Sequence, residues 1–201
     1  KNVKGGKSRI ASGFYEAKSH NVVEFETCYV QDEISDKIVG IIKERMIKMH
    51  YNAYDEDSGT GLIRHVLIKR SAATKEVMVV IVTGSDVFPG CQNFVKALTS
   101  RCKDITTIIQ NVNNRKTSAV LGDKEKVLFG KGFITDILLR KKFKISAKSF
   151  YQINSSQCAV LYSKAMELAN LSKTDILFDA YCGVGTIGLV ACDIVAKVIG
   201  V

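Results

Sequence analysis

The residues with the clearest chemical possibilities lie in FDAYCGVGTIGL, positions 178–189. Asp179 closes an apolar run, and Gly183, Gly185 and Gly188 follow in G-x-G-x-x-G spacing. Glycines in such a turn let the chain reverse sharply and let a ligand approach the backbone. The spacing alone suits the pyrophosphate of NAD or FAD, docked on the N–H groups of a helix start. Asp179 argues against that ligand. It stands at the carboxyl end of the run, four positions before Gly183, facing the crevice where a ligand binds. A carboxylate there repels a pyrophosphate and attracts a cationic group. S-adenosylmethionine carries an ammonium and a sulfonium and no phosphate, so an acid-x-x-x-G-x-G sequence favours it. A dinucleotide, or a glycine turn that binds nothing, are the alternatives. The residue that usually decides, an acid ending the next strand, would follow AKVIGV (196–201).

Elements of a definite kind are needed to hold this turn. DILFDAY (175–181) reads as a strand, a helix begins near Thr186, and AKVIGV starts another strand. That β-α-β order opens a doubly wound sheet. Upstream, Asn154 is a plausible N-cap with Gln157 three residues on, and Ile153 and Cys158 are candidates for the flanking staple. The helix that follows offers Val160, Leu161, Met166, Leu168 and Ala169 for packing. Before it the pattern is α+β. VVEFETCYV (22–30) reads as strand or extended, IVGIIKERMIKM (38–49) as an amphipathic helix, and YDEDSGTG (54–61) as a turn. LIRHVLIKRS (62–71) and EVMVVIVTG (76–84) suggest a hairpin. Its first strand alternates, so that Arg64 or His65 faces solvent, and its second is a buried central strand. A helix at 89–102, a strand at 105–113, two short strands within 127–139 and one more at 143–146 complete the region. The fold class is α/β: an α+β domain over 1–145, then the start of a Rossmann-like domain over 146–201.

The chain has 201 residues, 46% of them hydrophobic, enough for a substantial core. No run approaches eighteen apolar residues, so no membrane span is expected. The basic N-terminal stretch lacks the apolar segment of a secretory signal. Six cysteines without a C-x-x-C pair read as reduced, mostly buried thiols of a cytosolic protein. His20, His50 and His65 are too far apart to suggest a metal site. The net charge of +9 suits an anionic partner such as nucleic acid, or serves solubility alone. Basic clusters occur at Lys1, Lys4, Lys7 and Arg9, at Lys69–Arg70, at Arg115–Lys116 and at Arg140, Lys141, Lys142 and Lys144. Arg64, Arg115 and Lys116 are the candidates for RNA contact.

The pair SFYQIN (149–154) and DAYCGVGTIG (179–188) resembles the RNA uracil-5-methyltransferase family, which makes 5-methyluridine. The similarity is greatest to its 23S ribosomal RNA branch in Gram-positive bacteria. SGFYEAKSHNVV (12–23), EVMVVIVT (76–83), IIQNVNNRKTSAVLG (108–122) and FGKGFITD (129–136) extend it over nearly the whole chain. The resemblance implies a central RNA-facing domain followed by a methyltransferase domain. It implies that Gln152, Tyr181 and Thr186 line the S-adenosylmethionine site, with Gly183 and Gly185 shaping the turn beside Asp179. It also implies a cytoplasmic, metal-free enzyme that is monomeric when intact. In that chemistry a cysteine thiolate adds to C6 of uracil, C5 takes the methyl group of S-adenosylmethionine, a carboxylate removes the C5 proton, and the cysteine is expelled from C6. The family's nucleophile and base lie downstream of the glycine turn, so both are expected beyond Val201. Cys182 matches a cofactor-turn position and Cys91 lies in the wrong context. The chain then reads as a fragment, with an apolar sheet face left uncovered. A non-catalytic, basic RNA-binding module is the reading of another class.

Overall fold

The computed structural model describes residues 2–3 and 9–201, with side-chain burial from residue 10 onward. Lys1, Lys4 and Lys7 of the first basic cluster lie outside the described residues. The chain divides into two compact units: residues 1–69 with 77–132, and residues 70–76 with 133–201.

The first unit opens with short antiparallel pairs, β1 (Asn2–Val3) with β2 (Arg9–Ile10) and β3 (Gly13–Tyr15) with β4 (Val22–Glu24). The strand expected over 22–30 stops at Glu24, and Tyr29 and Val30 beyond it are exposed. α1 (Glu33–Lys48) begins five residues before the stretch expected to be helical, and Ile34, four residues before Ile38, already packs on the core. Asp32 caps it, accepting the Ile34 N–H, and Glu33 and Asp36 favour its first turn electrostatically. Its buried face is Ile38, Ile41, Ile42 and Met46, the face its spacing requires.

A four-stranded sheet follows in the order β5 (Ile63–Arg70), β6 (Val77–Thr83), β7 (Ile105–Val112), β8 (Lys124–Phe129). Every residue of β6 is buried, as an uninterrupted apolar run in a central strand must be. The Gly84 N–H bonds to Leu62 O and the Ser71 N–H to Glu76 O, which closes β5 and β6 into the expected hairpin. β6 and β7 are parallel, joined through α2 (Cys91–Arg101). The core combines the α1 face with Phe94 and Leu98 of α2 and with Val79, Ile81 and Ile108 of the sheet.

In the second unit β9 (Ile134–Leu138) pairs antiparallel with β10 (Lys141–Ile145). Of the two strands expected within 127–139, β9 lies inside that range and β8 starts earlier, at Lys124, and the two do not pair with each other. β8 belongs to the large sheet and β9 to this hairpin. The second compact unit accordingly takes in β9 and β10 together with residues 70–76. Asp136 of β9 is one of the ties within it. Its carboxylate accepts hydrogen bonds from Ser71 Oγ (2.6 Å), the Ala73 N–H (3.0 Å) and Ser155 Oγ (3.3 Å). These bonds tie β9 to the segments on either side of it in this unit.

α3 (Ser155–Ala169) starts at its Asn154 cap, whose side chain accepts the Gln157 N–H. Its buried face differs from the expected one. Cys158 and Tyr162 are buried, while Val160, Leu161 and Leu168 are exposed. Ile153 is 97% exposed and makes no staple with Cys158. β11 (Ile176–Asp179), α4 (Thr186–Ala191) and β12 (Lys197–Gly200) form the expected β-α-β, with the two strands parallel. Ile176 and Phe178 are exposed on one face of β11. Among the described residues no helix is long and apolar enough to cross a membrane.

Candidate functional site

The glycine turn forms where the sequence places it. β11 ends at Asp179, and Gly183 (φ +54°) and Gly185 (φ +77°) take the left-handed backbone that disfavours other residues. A Cβ on Gly183 would meet nothing within 4 Å, so the space above the turn is open. Gly188 serves packing instead. A Cβ there would lie 2.8 Å from Val198 Cγ1, so the close approach of α4 to β12 requires glycine. The turn is stitched to the end of β12 by Cys182 N–H to Val201 O (3.1 Å) and Val201 N–H to Asp179 O (3.0 Å). The Gly185 N–H closes it onto Cys182 O at 2.7 Å.

Asp179, Tyr181, Gly183, Gly185 and Thr186 thus come together in one short turn. Asp179 Oδ2 is buried and has no hydrogen-bond partner among the described residues. A buried carboxylate oxygen left so is costly, and a donor from a ligand would relieve it. Tyr181 is 98% exposed at the rim. Thr186 is held from α3: its Oγ1 and the Tyr162 hydroxyl share a hydrogen bond of 3.2 Å. Burial pushes the Tyr162 pKa up. Gln152 is exposed on the segment leading into α3. Beside it, Tyr151 packs on Phe143 with ring centroids 5.8 Å apart. The Tyr151 hydroxyl is buried without a partner of ordinary hydrogen-bond geometry among the described residues. Burial, and then the neighbouring Asp136 carboxylate, push its pKa up. Burial also raises the Asp136 carboxyl, but the bonds from Ser71 Oγ and from the Ala73 and Ile137 N–H groups outweigh it and hold the pKa below the usual range.

The RNA candidates lie in the first unit, and of the two residues that alternation left as alternatives for the solvent face, Arg64 is buried and His65 is mostly so. The Arg64 side chain is 2% exposed and does not face solvent. Its Nε and one terminal nitrogen grip both oxygens of Glu56, at 2.6 Å each. The remaining N–H groups donate to the backbone oxygens of Asn113 (3.2 Å), Arg115 (2.9 Å) and Thr117 (3.1 Å). All five guanidinium donors are therefore used. The guanidinium carbon also lies 5.0 Å from the Tyr54 ring centroid. Hydrogen bonding to Glu56 raises the Arg64 pKa further. His65 is half-buried, and burial, then the Arg64 charge, push its pKa down.

Arg64 thus shapes the loop that carries the other two candidates. Asn113 continues the work, donating to Ala119 O (2.6 Å) and accepting the Arg115 N–H (3.2 Å). Asn111 brackets Gly122 from both its N–H and its carbonyl. The Arg115 side chain is 48% exposed and pairs with Asp123 at 3.3 Å. Lys116 is exposed. Glu56, Asn111 and Asn113 were not singled out from the sequence. The acidic turn at 54–61 and the N-x-N ending β7 were the signals available.

No protein-family model matches the chain. Curated relatives do. A protein of Clostridium tetani named as an uncharacterized RNA methyltransferase is 40% identical over 195 residues, covering 97% of this chain and 42% of the relative. An Oceanobacillus iheyensis protein named likewise is 40% identical over 193 residues, covering 96% of this chain and 42% of its own length. The chain therefore spans less than half the length of these relatives. Among solved structures, the Pyrococcus abyssi tRNA (uracil-54, C5)-methyltransferase in complex with S-adenosyl-L-homocysteine matches with a TM-score of 0.78. It is 28% identical, and the match covers 96% of this chain and 46% of that one.

Proposed function

We propose that this chain is part of an S-adenosylmethionine-dependent RNA methyltransferase that modifies C5 of uracil. The observation that carries the reading is the buried, unpartnered carboxylate oxygen of Asp179 beside an open glycine turn. A cationic donor suits that place and a pyrophosphate does not. The kinship with proteins named RNA methyltransferases, and with a structure holding S-adenosyl-L-homocysteine, supports it.

Each residue then has a stated task. Asp179 receives the positive end of the cofactor, Gly183 and Gly185 leave the backbone approachable, and Tyr162 fixes Thr186 at the helix start. Tyr181 and Gln152 are proposed as cofactor contacts. When bound, S-adenosylmethionine supplies the methyl group. The thiolate that adds to C6 and the carboxylate that removes the C5 proton are assigned to parts of the protein outside residues 1–201. Arg115 and Lys116 are proposed as RNA contacts, and Arg64 as the residue that holds their loop in shape.

For the substrate we favour 23S ribosomal RNA, on the motifs at 149–154 and 179–188 and the segments that accompany them. The Pyrococcus neighbour acts on tRNA, which is the competing substrate. The test is transfer of a labelled methyl group by the protein in which the chain occurs, offered both RNAs, with the product nucleoside identified. The proposal expects 5-methyluridine in 23S RNA. Label in tRNA alone would move the substrate, and label on a base other than uracil would overturn the reaction.

A further inference from the structure

β10 is the most cleanly alternating strand of the second unit. Phe143 and Ile145 are buried, while Lys142 and Lys144 are exposed on the opposite face. Across the hairpin Lys142 stands opposite Ile137 and Lys144 opposite Thr135. The nearest acid in register, Asp136, opposite Phe143, is buried and already engaged. Among the described residues neither Lys142 nor Lys144 has a carboxylate within ion-pair distance. Three other lysines of this unit find acceptors, Lys141 with Asp193 at 2.6 Å, Lys164 with Glu167 at 2.8 Å and Lys173 with Asp193 O, whereas Lys75 and Lys197, each standing alone, have no ion-pair partner among the described residues. Lys144 rests instead 4.2 Å over the Phe133 ring, which holds the ammonium without neutralising it. Arg140, at the hairpin turn, is exposed with φ +67° and likewise has no ion-pair partner among the described residues.

We infer that the outward face of β10 is a contact strip for the sugar–phosphate backbone of RNA, with Lys142 and Lys144 as its two cationic contacts and Arg140 at its end. The inference rests on the RNA methyltransferase reading. Two residues of strand set the lysines about 6.8 Å apart, a spacing suited to successive phosphates. The strip is also fixed to the cofactor side of the unit. Lys141, on the other face of β10, pairs with Asp193 just after α4. RNA held on β10 is therefore held at a fixed position relative to the glycine turn. A face that served only solubility would not need its two charges kept clear of carboxylates.

The test measures binding of a fluorescein-labelled oligouridylate to the whole chain over a range of salt concentrations. Each lost phosphate contact removes about 0.7 from the slope of log affinity against log salt for a single strand. The double variant Lys142→Gln/Lys144→Gln is expected to lower the slope by about 1.4. The charge-matched double variant Lys37→Gln/Lys48→Gln on α1 should leave it nearly unchanged. Lys142→Arg/Lys144→Arg should keep it, which excludes misfolding as the cause. Equal effects in the two glutamine variants, or a strip variant that binds as the wild type does, would overturn the strip and leave the RNA reading intact. A wild-type chain with no salt-dependent RNA binding would overturn both.

Discussion

Replacing Arg64 by methionine keeps most of the apolar stem and removes the guanidinium. The Glu56 side chain, 12% exposed, then loses its bidentate partner. Breaking a buried ion pair from one side costs about 3–5 kcal/mol, because the remaining charge stays buried and unpaired. One feature places this site at the low end. The Arg115 and Thr117 carbonyls that lose a donor are partly in solvent, where water replaces it. His65 Nε2, 3.8 Å from Glu56 Oε1, supplies no second cation at neutral pH, because burial pushes its pKa down. The expected loss is about 3 kcal/mol at neutral pH, read as a drop in the urea midpoint by circular dichroism. Adding Glu56→Gln should recover part of it, since the stranded charge is then gone. Amide hydrogen exchange over residues 113–121 should rise in Arg64→Met and also in Arg64→Lys, because an ammonium has three donors and cannot form the fork. A loss below about 1 kcal/mol, or an Arg64→Lys chain with wild-type protection in that loop, would refute the clamp.

Three further outcomes follow from the same structure. Gly188→Ala puts a methyl group 2.8 Å from Val198 Cγ1 and should destabilise the chain by about 1–3 kcal/mol, with partial rescue by Val198→Ala, both measured by thermal melting. His65 has a folded pKa below its unfolded value of about 6.5, so the unfolded chain binds more protons as pH falls below that value. Stability should therefore decline as pH drops through about 6.5 toward the lower folded pKa. His65→Gln should flatten that part of the urea-midpoint profile. Tyr162→Phe removes the hydrogen bond to Thr186 and should weaken cofactor binding several-fold with little change in melting temperature, since the ring stays packed.

What the sequence shows plainly is whatever depends on neighbours in sequence. The buried strand β6 is a continuous apolar run, and the β-α-β of 176–200 is announced by Asp179 and three glycines within ten residues. What it hides depends on distant partners. Alternation left Arg64 or His65 to face solvent and could not show that Arg64 is buried, because the backbone oxygens it serves lie 49 to 53 residues away. α3 carries apolar residues on more than one face. Cys158 and Tyr162, which are buried, look less apolar than Val160, Leu161 and Leu168, which are not. The start of α1, by contrast, is legible, since Ile34 stands four residues before Ile38 and packs on the core just after the Asp32 cap. The attachment of β9 to residues 71–76 runs through Asp136, with partners at 71, 73 and 155, and through Thr135, with partners at 74 and 76, all distant in sequence.

Whether the turn after β11 takes S-adenosylmethionine through Asp179 is decided by titration calorimetry of the chain with S-adenosylmethionine, with NAD as comparator. S-adenosylmethionine should bind and NAD should not. Asp179→Asn should weaken binding about ten- to a hundred-fold, the worth of one charge-assisted hydrogen bond at a buried carboxylate. Binding of NAD in its place, or S-adenosylmethionine binding unchanged by Asp179→Asn, would refute the assignment.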